Sequence, residues 1–287
     1  MESKAQISLK VGQRLIVDIE KIAHGGHFIA RHESESGKKA VIFVRHAIPG
    51  EKVEIEITST SSNFIRADVV DVITPSPDRV VAPCKFAHRD GCGGCDFQHI
   101  SASRQRALKS EVITEQFARI AKIPMSVEVE EVDKPLHWRT RITATTDHNG
   151  AIGFYSSRSH RVIAVDECLI AVSEIGITQM SKQKLSPDVR IEIAYSSEGE
   201  RMVAEAPKSG DGRFRQNSGP AVLHEKVGNH LLQVSQRSFW QGHKRAPEVL
   251  TDVVSNFAEI KNGEHVLDLY GGVGLFTASS LLSLIHI

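Results

Sequence analysis

The chain has 287 residues, 40% of them hydrophobic, enough to bury the cores of two or three domains. Lysine plus arginine equals aspartate plus glutamate at 35 each, so no global positive field advertises a nucleic-acid partner, and any such partner must be held by local patches. No run of about 18 apolar residues is present to span a bilayer, and the polar start Met1-Glu-Ser-Lys is no signal peptide, which places the chain in the cytoplasm.

The first 75 residues alternate as half-buried antiparallel strands do: Leu15 to Ile19, Ala40 to Val44, Val53 to Ile57 and Ile65 to Val70. Gly25-Gly26, the polar Glu33-Ser-Glu-Ser-Gly37 loop and Pro49-Gly50 punctuate them, and short strands joined by tight turns predict a small closed barrel of the oligonucleotide-binding kind. Pro75, Pro77 and Pro83 mark a linker into a cysteine-rich run. Three of the four cysteines, Cys84, Cys92 and Cys95, lie there, and Cys168 follows much later. In a reducing compartment such a set binds metal more readily than it forms disulfides, and four thiolates suit zinc and an iron–sulfur cluster alike.

An amphipathic helix is expected from Ser103 to Ile123, with Leu108, Val112, Ile113, Phe117 and Ile120 on one face and Ser101 or Ser103 as its cap. Strand-like alternation returns in Trp138 to Ala144, Ala151 to Tyr155, Arg161 to Val165 and Ile191 to Tyr195, so Cys168 arrives at the edge of a second, β-rich domain. A stretch from Ser209 to Pro220 reads as an exposed loop. Beyond Ser238-Phe-Trp-Gln241 a helix is expected over residues 246–260, striped by Leu250, Val253, Val254, Phe257 and Ile260. A short apolar strand, Val266 to Tyr270, then runs into Gly271-Gly-Val-Gly274. Strand, glycine-rich turn and helix start are the opening of a Rossmann-like βα unit, and Asp268 inside the strand favours a cofactor over an ordinary tight turn.

Several stretches together carry a resemblance: Pro49-Gly-Glu51, Ser76-Pro-Asp-Arg-Val80 with Pro83-Cys84, Cys92-Gly-Gly-Cys-Asp-Phe-Gln-His99, Gly153 to Arg161 before Cys168, Ser238-Phe-Trp-Gln241 and Asp268-Leu-Tyr-Gly-Gly-Val-Gly274. From about Ile7 to Ser280 the chain resembles the class I S-adenosylmethionine-dependent RNA (uracil-5-)-methyltransferases that carry an N-terminal TRAM domain. The resemblance implies a multidomain α+β architecture. Residues 1–75 would form the TRAM barrel, 76–235 a central α+β domain with the four-cysteine cluster, and 236–281 the start of a Rossmann-like methyltransferase domain.

It implies further a [4Fe–4S] cluster on Cys84, Cys92, Cys95 and Cys168, with zinc the alternative, although the seven residues between Cys84 and Cys92 are two more than many members have. Gln241 matches a position that contacts S-adenosylmethionine and Tyr270 an aromatic beside it; Gly272 and Gly274 would give backbone access, and Asp268 would orient the loop or the methionine amino group. Leu275 stands where several relatives are polar and is not counted as a contact.

In this family a cysteine thiolate adds to uracil carbon 6, carbon 5 takes the methyl group, and a base removes the carbon 5 proton. All four cysteines here are committed to the cluster, so the nucleophile and base are expected beyond the end of this chain, and this chain is expected to be an inactive fragment. Its last six residues, Leu282-Ser-Leu-Ile-His-Ile287, correspond to a translated sequencing-library adapter. The region after about Gln233 is expected to be poorly stabilised, because a buried parallel strand there lacks neighbours.

RNA is the implied partner, ribosomal before transfer RNA, with Arg31, Lys38, Lys39 and Arg45 of the barrel and Arg139, Arg141, Arg158 and Arg161 of the central domain as phosphate contacts. The protein is expected to be a monomer. A different class, a non-catalytic RNA-binding protein with a metal-stapled domain, remains the alternative, and a zinc-stabilised interaction module without RNA is a third.

Overall fold

The computed structural model describes residues 9–33, 37, 39–61, 64–209, 213–261 and 264–278. The chain divides into two compact units, one of residues 1–131 with 156–158 and one of residues 132–155 with 159–287. No helix among the described residues is long and apolar enough to cross a membrane.

The first unit is built on five strands: β1 (Arg14–Ile22), β2 (Phe28–Glu33), β3 (Lys39–Arg45), β4 (Lys52–Thr60) and β5 (Ile65–Thr74). They close in the order β1-β2-β3-β5-β4, and closure removes the exposed sheet edges. The one parallel pairing, Ile42 to Arg45 of β3 beside Ile65 to Asp68 of β5, returns the chain across the barrel. Inward positions of the period-two pattern fill the core, among them Phe28, Ile42, Ile55 and Ile57. The strand β2 escaped the sequence reading because only six residues separate the Gly25-Gly26 turn from the polar loop.

The proline-rich linker and the helix beyond the cysteines fold onto this barrel, so compactness draws no boundary at residue 75. Glu51, with no solvent exposure, is the junction. Its carboxylate accepts from the backbone N–H of Ile48 (2.8 Å) and Ser76 (3.1 Å) and from Nε and an NH2 of Arg79, both at 2.6 Å. A third bond from Arg79 reaches the His46 carbonyl at 2.8 Å. Arg79 then pairs as a β-bridge with Ile100, and Val80 N–H donates to the His99 carbonyl, so the cysteine run is an excursion closed at its base.

Helix α1 (Ala102–Gln116) starts where Ser101 Oγ accepts from Arg104 N–H at 3.4 Å, which settles the cap on Ser101. Leu108 is its buried residue and joins the barrel core with Ile100. The expected uniform helix to Ile123 is corrected: a π-helical turn, Phe117–Ala121, follows and ends at left-handed Lys122. The wider turn rotates later residues off the Leu108 face, leaving Phe117 and Ile120 exposed.

The second unit holds a six-stranded antiparallel sheet: β6 (Arg141–Thr146), β7 (Ile152–Tyr155), β8 (Val162–Ala164), β9 (Val189–Tyr195), β10 (Arg201–Pro207) and β11 (Arg215–Ser218), ordered β11-β10-β9-β6-β7-β8. A short helix α2 (Ile177–Met180) lies between β8 and β9. The stretch read as a plain loop thus contains β11, an exposed edge strand held by three register pairs to β10. A hairpin of β12 (Val222–Val227) and β13 (His230–Ser235) and helix α3 (Ala246–Ala258) complete the unit.

Residues 264–268 form no strand, and Leu267 and Leu269 are exposed. The expected buried strand is corrected for a physical reason: no described strand lies alongside to take its N–H and C=O groups, and a lone strand gains no ladder. The stripe on α3 is corrected with it, since Val253, Val254 and Phe257 stay exposed while Leu250 packs inward. The tail at 282–287 lies outside the described residues.

Two stability effects follow from the junction. Arg79→Met leaves the Glu51 carboxylate buried without its fork and should cost about 3 kcal/mol in urea unfolding. His46 is held down to about 4, from the ordinary 6.5, by burial first and then by the positive charge of Arg45. The unfolded chain therefore takes up a proton on His46 below pH 6.5 that the folded chain refuses until about 4. Stability is unaffected above this window and falls as pH drops through it, by roughly 3 kcal/mol in all. His46→Asn should flatten that slope.

Candidate functional site: a cysteine loop, a glycine turn and a polar cleft

In the first unit the cysteine loop is drawn tight by its own backbone. Ala87 N–H donates to the Cys84 carbonyl (3.0 Å), Gly91 N–H to His88 (3.0 Å) and Cys92 N–H to Phe86 (2.9 Å), which folds three cysteines into one compact turn system. Gly91 is required there, because a Cβ would collide with the Phe86 carbonyl oxygen. Gly94 N–H donates to Cys92 Sγ at 3.4 Å, and Gln98 Oε1 accepts from Cys84 N–H at 3.1 Å. A short bridge joins Cys92 to Ser156. An amide aimed at sulfur favours a thiolate, the form a metal takes.

All four cysteines are half-buried. Cys168, in the second unit, follows edge strand β8, and its carbonyl accepts from Ala171 N–H at 3.1 Å. Among the described residues, no group of three or more His, Cys, Asp or Glu side chains stands arranged to hold a metal ion. The donor chemistry of the loop suits a soft metal, while its thiols are not drawn in as a ligand set.

In the second unit the glycine turn packs by way of Leu275, which shares a small core with Trp240, Val227 and Val234. This brings residues 268–275 and 238–241 to the same core, and Leu275 is a packing residue there. Asp268 Oδ2 accepts from Thr277 Oγ1 at 2.6 Å across the turn. Gly272 and Gly274 take φ of +60° and +89°, which side chains resist. Gln241 is half-buried beside Trp240, and Tyr270 is fully exposed. The segment is pinned to the residues just ahead of β6, because the Gly242 carbonyl accepts Thr140 N–H at 2.8 Å and Lys244 N–H donates to the Trp138 carbonyl at 2.9 Å.

Several cations expected to face phosphate are engaged instead. Arg45 is buried between Asp96 (3.1 Å) and Asp68 (3.8 Å), Arg31 pairs with Glu20, Lys39 with Glu33 (3.4 Å) and Arg141 with Glu225 (3.3 Å). Arg45 and Arg141 are corrected, because alternation along a strand does not distinguish a solvated cation from one buried in a pair, while Arg31 and Lys39 stay exposed in theirs. Arg139 lies over the Trp138 ring at 5.7 Å, Arg158 bonds His27 at 3.1 Å, and Arg161 N–H donates to Ser159 Oγ at 2.9 Å. Lys38 lies outside the described residues.

A cleft of about 550 Å³ in the second unit went unread in the sequence. Its floor includes Glu225, whose carboxyl is pushed above the usual range by burial and held by Ser197 N–H (3.1 Å) and Arg141. The signal was present: Leu223, Glu225 and Val227 share the inward face of β12, and a carboxylate at an inward position is expensive unless used.

Residues 8–70 match the TRAM domain family. An uncharacterized RNA methyltransferase of Streptomyces avermitilis is 35% identical over 94% of this chain and 69% of its own length; one from Streptomyces coelicolor is 34% identical over 94% and 66%. A 23S rRNA (uracil(1939)-C(5))-methyltransferase RlmD of Shewanella amazonensis is 25% identical over 96% of this chain and 69% of its own. The chain thus spans about two thirds of the length of these relatives. In fold it is similar to the Pyrococcus abyssi tRNA (uracil-54, C5)-methyltransferase crystallised with S-adenosyl-L-homocysteine, with a TM-score of 0.61 and 19% identity over 87% of this chain and 69% of that one. A barrel with a TRAM signature, joined to a mixed unit ending in a glycine turn, defines an RNA-modifying class. The chain belongs to the TRAM-domain RNA (uracil-5-)-methyltransferase family.

Gly91→Ala should open the cysteine loop. Labelling of Cys84, Cys92 and Cys95 by a thiol reagent is expected to accelerate about tenfold while Cys168 keeps its rate.

Proposed function

We propose that the chain is the RNA-handling part, with the start of the cofactor domain, of an enzyme that methylates carbon 5 of uracil in RNA. The observation that carries this reading is the packing of the glycine turn, through Leu275, against Trp240 of the segment that bears Gln241. The two motifs lie 27 residues apart in sequence and share one core through Trp240 and Leu275, where a cofactor would have backbone on one side and a side-chain amide on the other. S-adenosylmethionine supplies the electrophilic methyl group. Gln241 would hold its polar portion, Gly272 and Gly274 would admit it to the backbone, and Asp268 would keep the turn closed by its bond to Thr277. Tyr270, exposed at the head of the turn, would cover it. No residue of this chain is assigned as nucleophile or base.

The RlmD relative favours ribosomal RNA as substrate, and the protein is read as a cytoplasmic monomer. Cys84, Cys92, Cys95 and Cys168 are proposed to hold a [4Fe–4S] cluster, with zinc as the alternative; the Gly94 amide on Cys92 Sγ supports a thiolate there. With all four thiols spent as ligands, the cluster staples the fold and leaves no open coordination position for chemistry.

The enzyme that contains this chain, purified without oxygen, should contain iron and sulfide in equal amounts and should transfer the tritiated methyl group of labelled S-adenosylmethionine to carbon 5 of uridine in 23S ribosomal RNA. Gln241→Ala should lower that transfer by about tenfold. Zinc in place of iron would overturn the cluster. RNA binding without any transfer would replace the enzyme with the non-catalytic RNA-binding reading.

A further inference from the structure

The cleft of about 550 Å³ in the second unit has the size of a small-ligand site, and neither Gln241 nor the glycine turn lines it. Tyr195, Trp240, the buried Glu225, Lys226 and Lys244 line it, together with the acids Glu174 and Glu248. Both lysines are exposed, and Lys244 is braced by Asp133 at 3.0 Å. Two aromatic side chains, one buried acceptor and two exposed lysines are a set that a single nucleotide with its flanking phosphates asks for.

Glu225 sets the choice of base. Its Oε1 accepts from Arg141 at 3.3 Å and its Oε2 from Ser197 N–H at 3.1 Å, the Ser197 side chain bonds the carboxylate as well, and a carboxylate oxygen has two acceptor positions. One of the four positions therefore remains for a donor in the cleft. Adenine, cytosine and guanine each carry an exocyclic amino group that can donate there. Uracil offers a single ring N–H flanked by two carbonyl oxygens, which a carboxylate repels.

We propose that this cleft seats one unpaired RNA nucleotide whose base carries an exocyclic amino group, with Glu225 as the acceptor that reads it and Lys226 and Lys244 on the phosphates. The proposal rests on the RNA reading above and adds a second nucleotide site that rejects the base to be methylated. It would fix where the target uracil falls by gripping a neighbour.

The test measures binding of the chain to single-stranded oligoadenylate, oligocytidylate and oligouridylate, without cofactor. The oligoadenylate or oligocytidylate should bind about tenfold more tightly than the oligouridylate, and Glu225→Gln should bring them nearly level. Lys226→Ala, on the exposed rim and expected to leave thermal unfolding unchanged, should weaken every oligonucleotide by a similar factor and reduce the salt slope by about one. Equal affinity for all of them, a base preference that survives Glu225→Gln, or an unchanged affinity in Lys226→Ala each overturns the site. Displacement of the oligonucleotides by S-adenosylhomocysteine would give the cleft to the cofactor and overturn it as well. Because no step here needs methyl transfer, a failed methylation assay leaves these outcomes standing, and a lost base preference beside intact methylation sinks the cleft alone.

Discussion

One carboxylate organises the first unit. Glu51 sits at the turn between β3 and β4 with no exposure, and a charge in that position is tolerable only because four N–H groups converge on it. Two come from the backbone at Ile48 and Ser76, and two from the fork of Arg79, a geometry that a lysine does not offer. The barrel turn, the linker and the base of the cysteine loop are thereby one hydrogen-bonded object. His99, bonded through Nε2 to the Ala47 carbonyl at 3.1 Å, and Ile100, buried in the barrel core, extend the same attachment to the start of α1.

This explains why short sequence stretches far apart identify the family together. Pro49-Gly-Glu51 and Ser76-Pro-Asp-Arg79 look like two independent turn motifs when read along the chain. In space they are the two halves of one ion pair.

The barrel was legible because each strand alternates and three of its four connections contain a glycine or proline; four of the five strands were read within a few residues of their ends. The cap of α1 was legible, for the same local reason, as one of two serines, Ser101 or Ser103. Pairing was not. The signs of Arg45, Arg31 and Arg141 are visible in the sequence, but the acids that neutralise Arg45 and Arg141 lie more than twenty residues away on other segments. The π-helical turn escaped because its residues are ordinary helix formers whose apolar spacing merely drifts. The strand expected at 266–270 has the right composition, yet a parallel strand exists only by virtue of its neighbours. The polar cleft was hidden because β12 and β13 went unassigned, so Glu225 had no face to be buried on.

The three residues 156–158 belong to the first unit although β7 before them and β8 after them belong to the second. Ser156 bridges Cys92, and Arg158 bonds His27, so this excursion is held by both the cysteine loop and the barrel. The backbone therefore passes between the units at 131/132, at 155/156 and at 158/159. A TRAM barrel joined by a single tether can be moved between proteins by fusing ends. Here recombination at the single boundary after residue 131 would strand the Ser156 strap on the wrong parent, so barrel, cysteine loop and sheet are constrained to be inherited as a block.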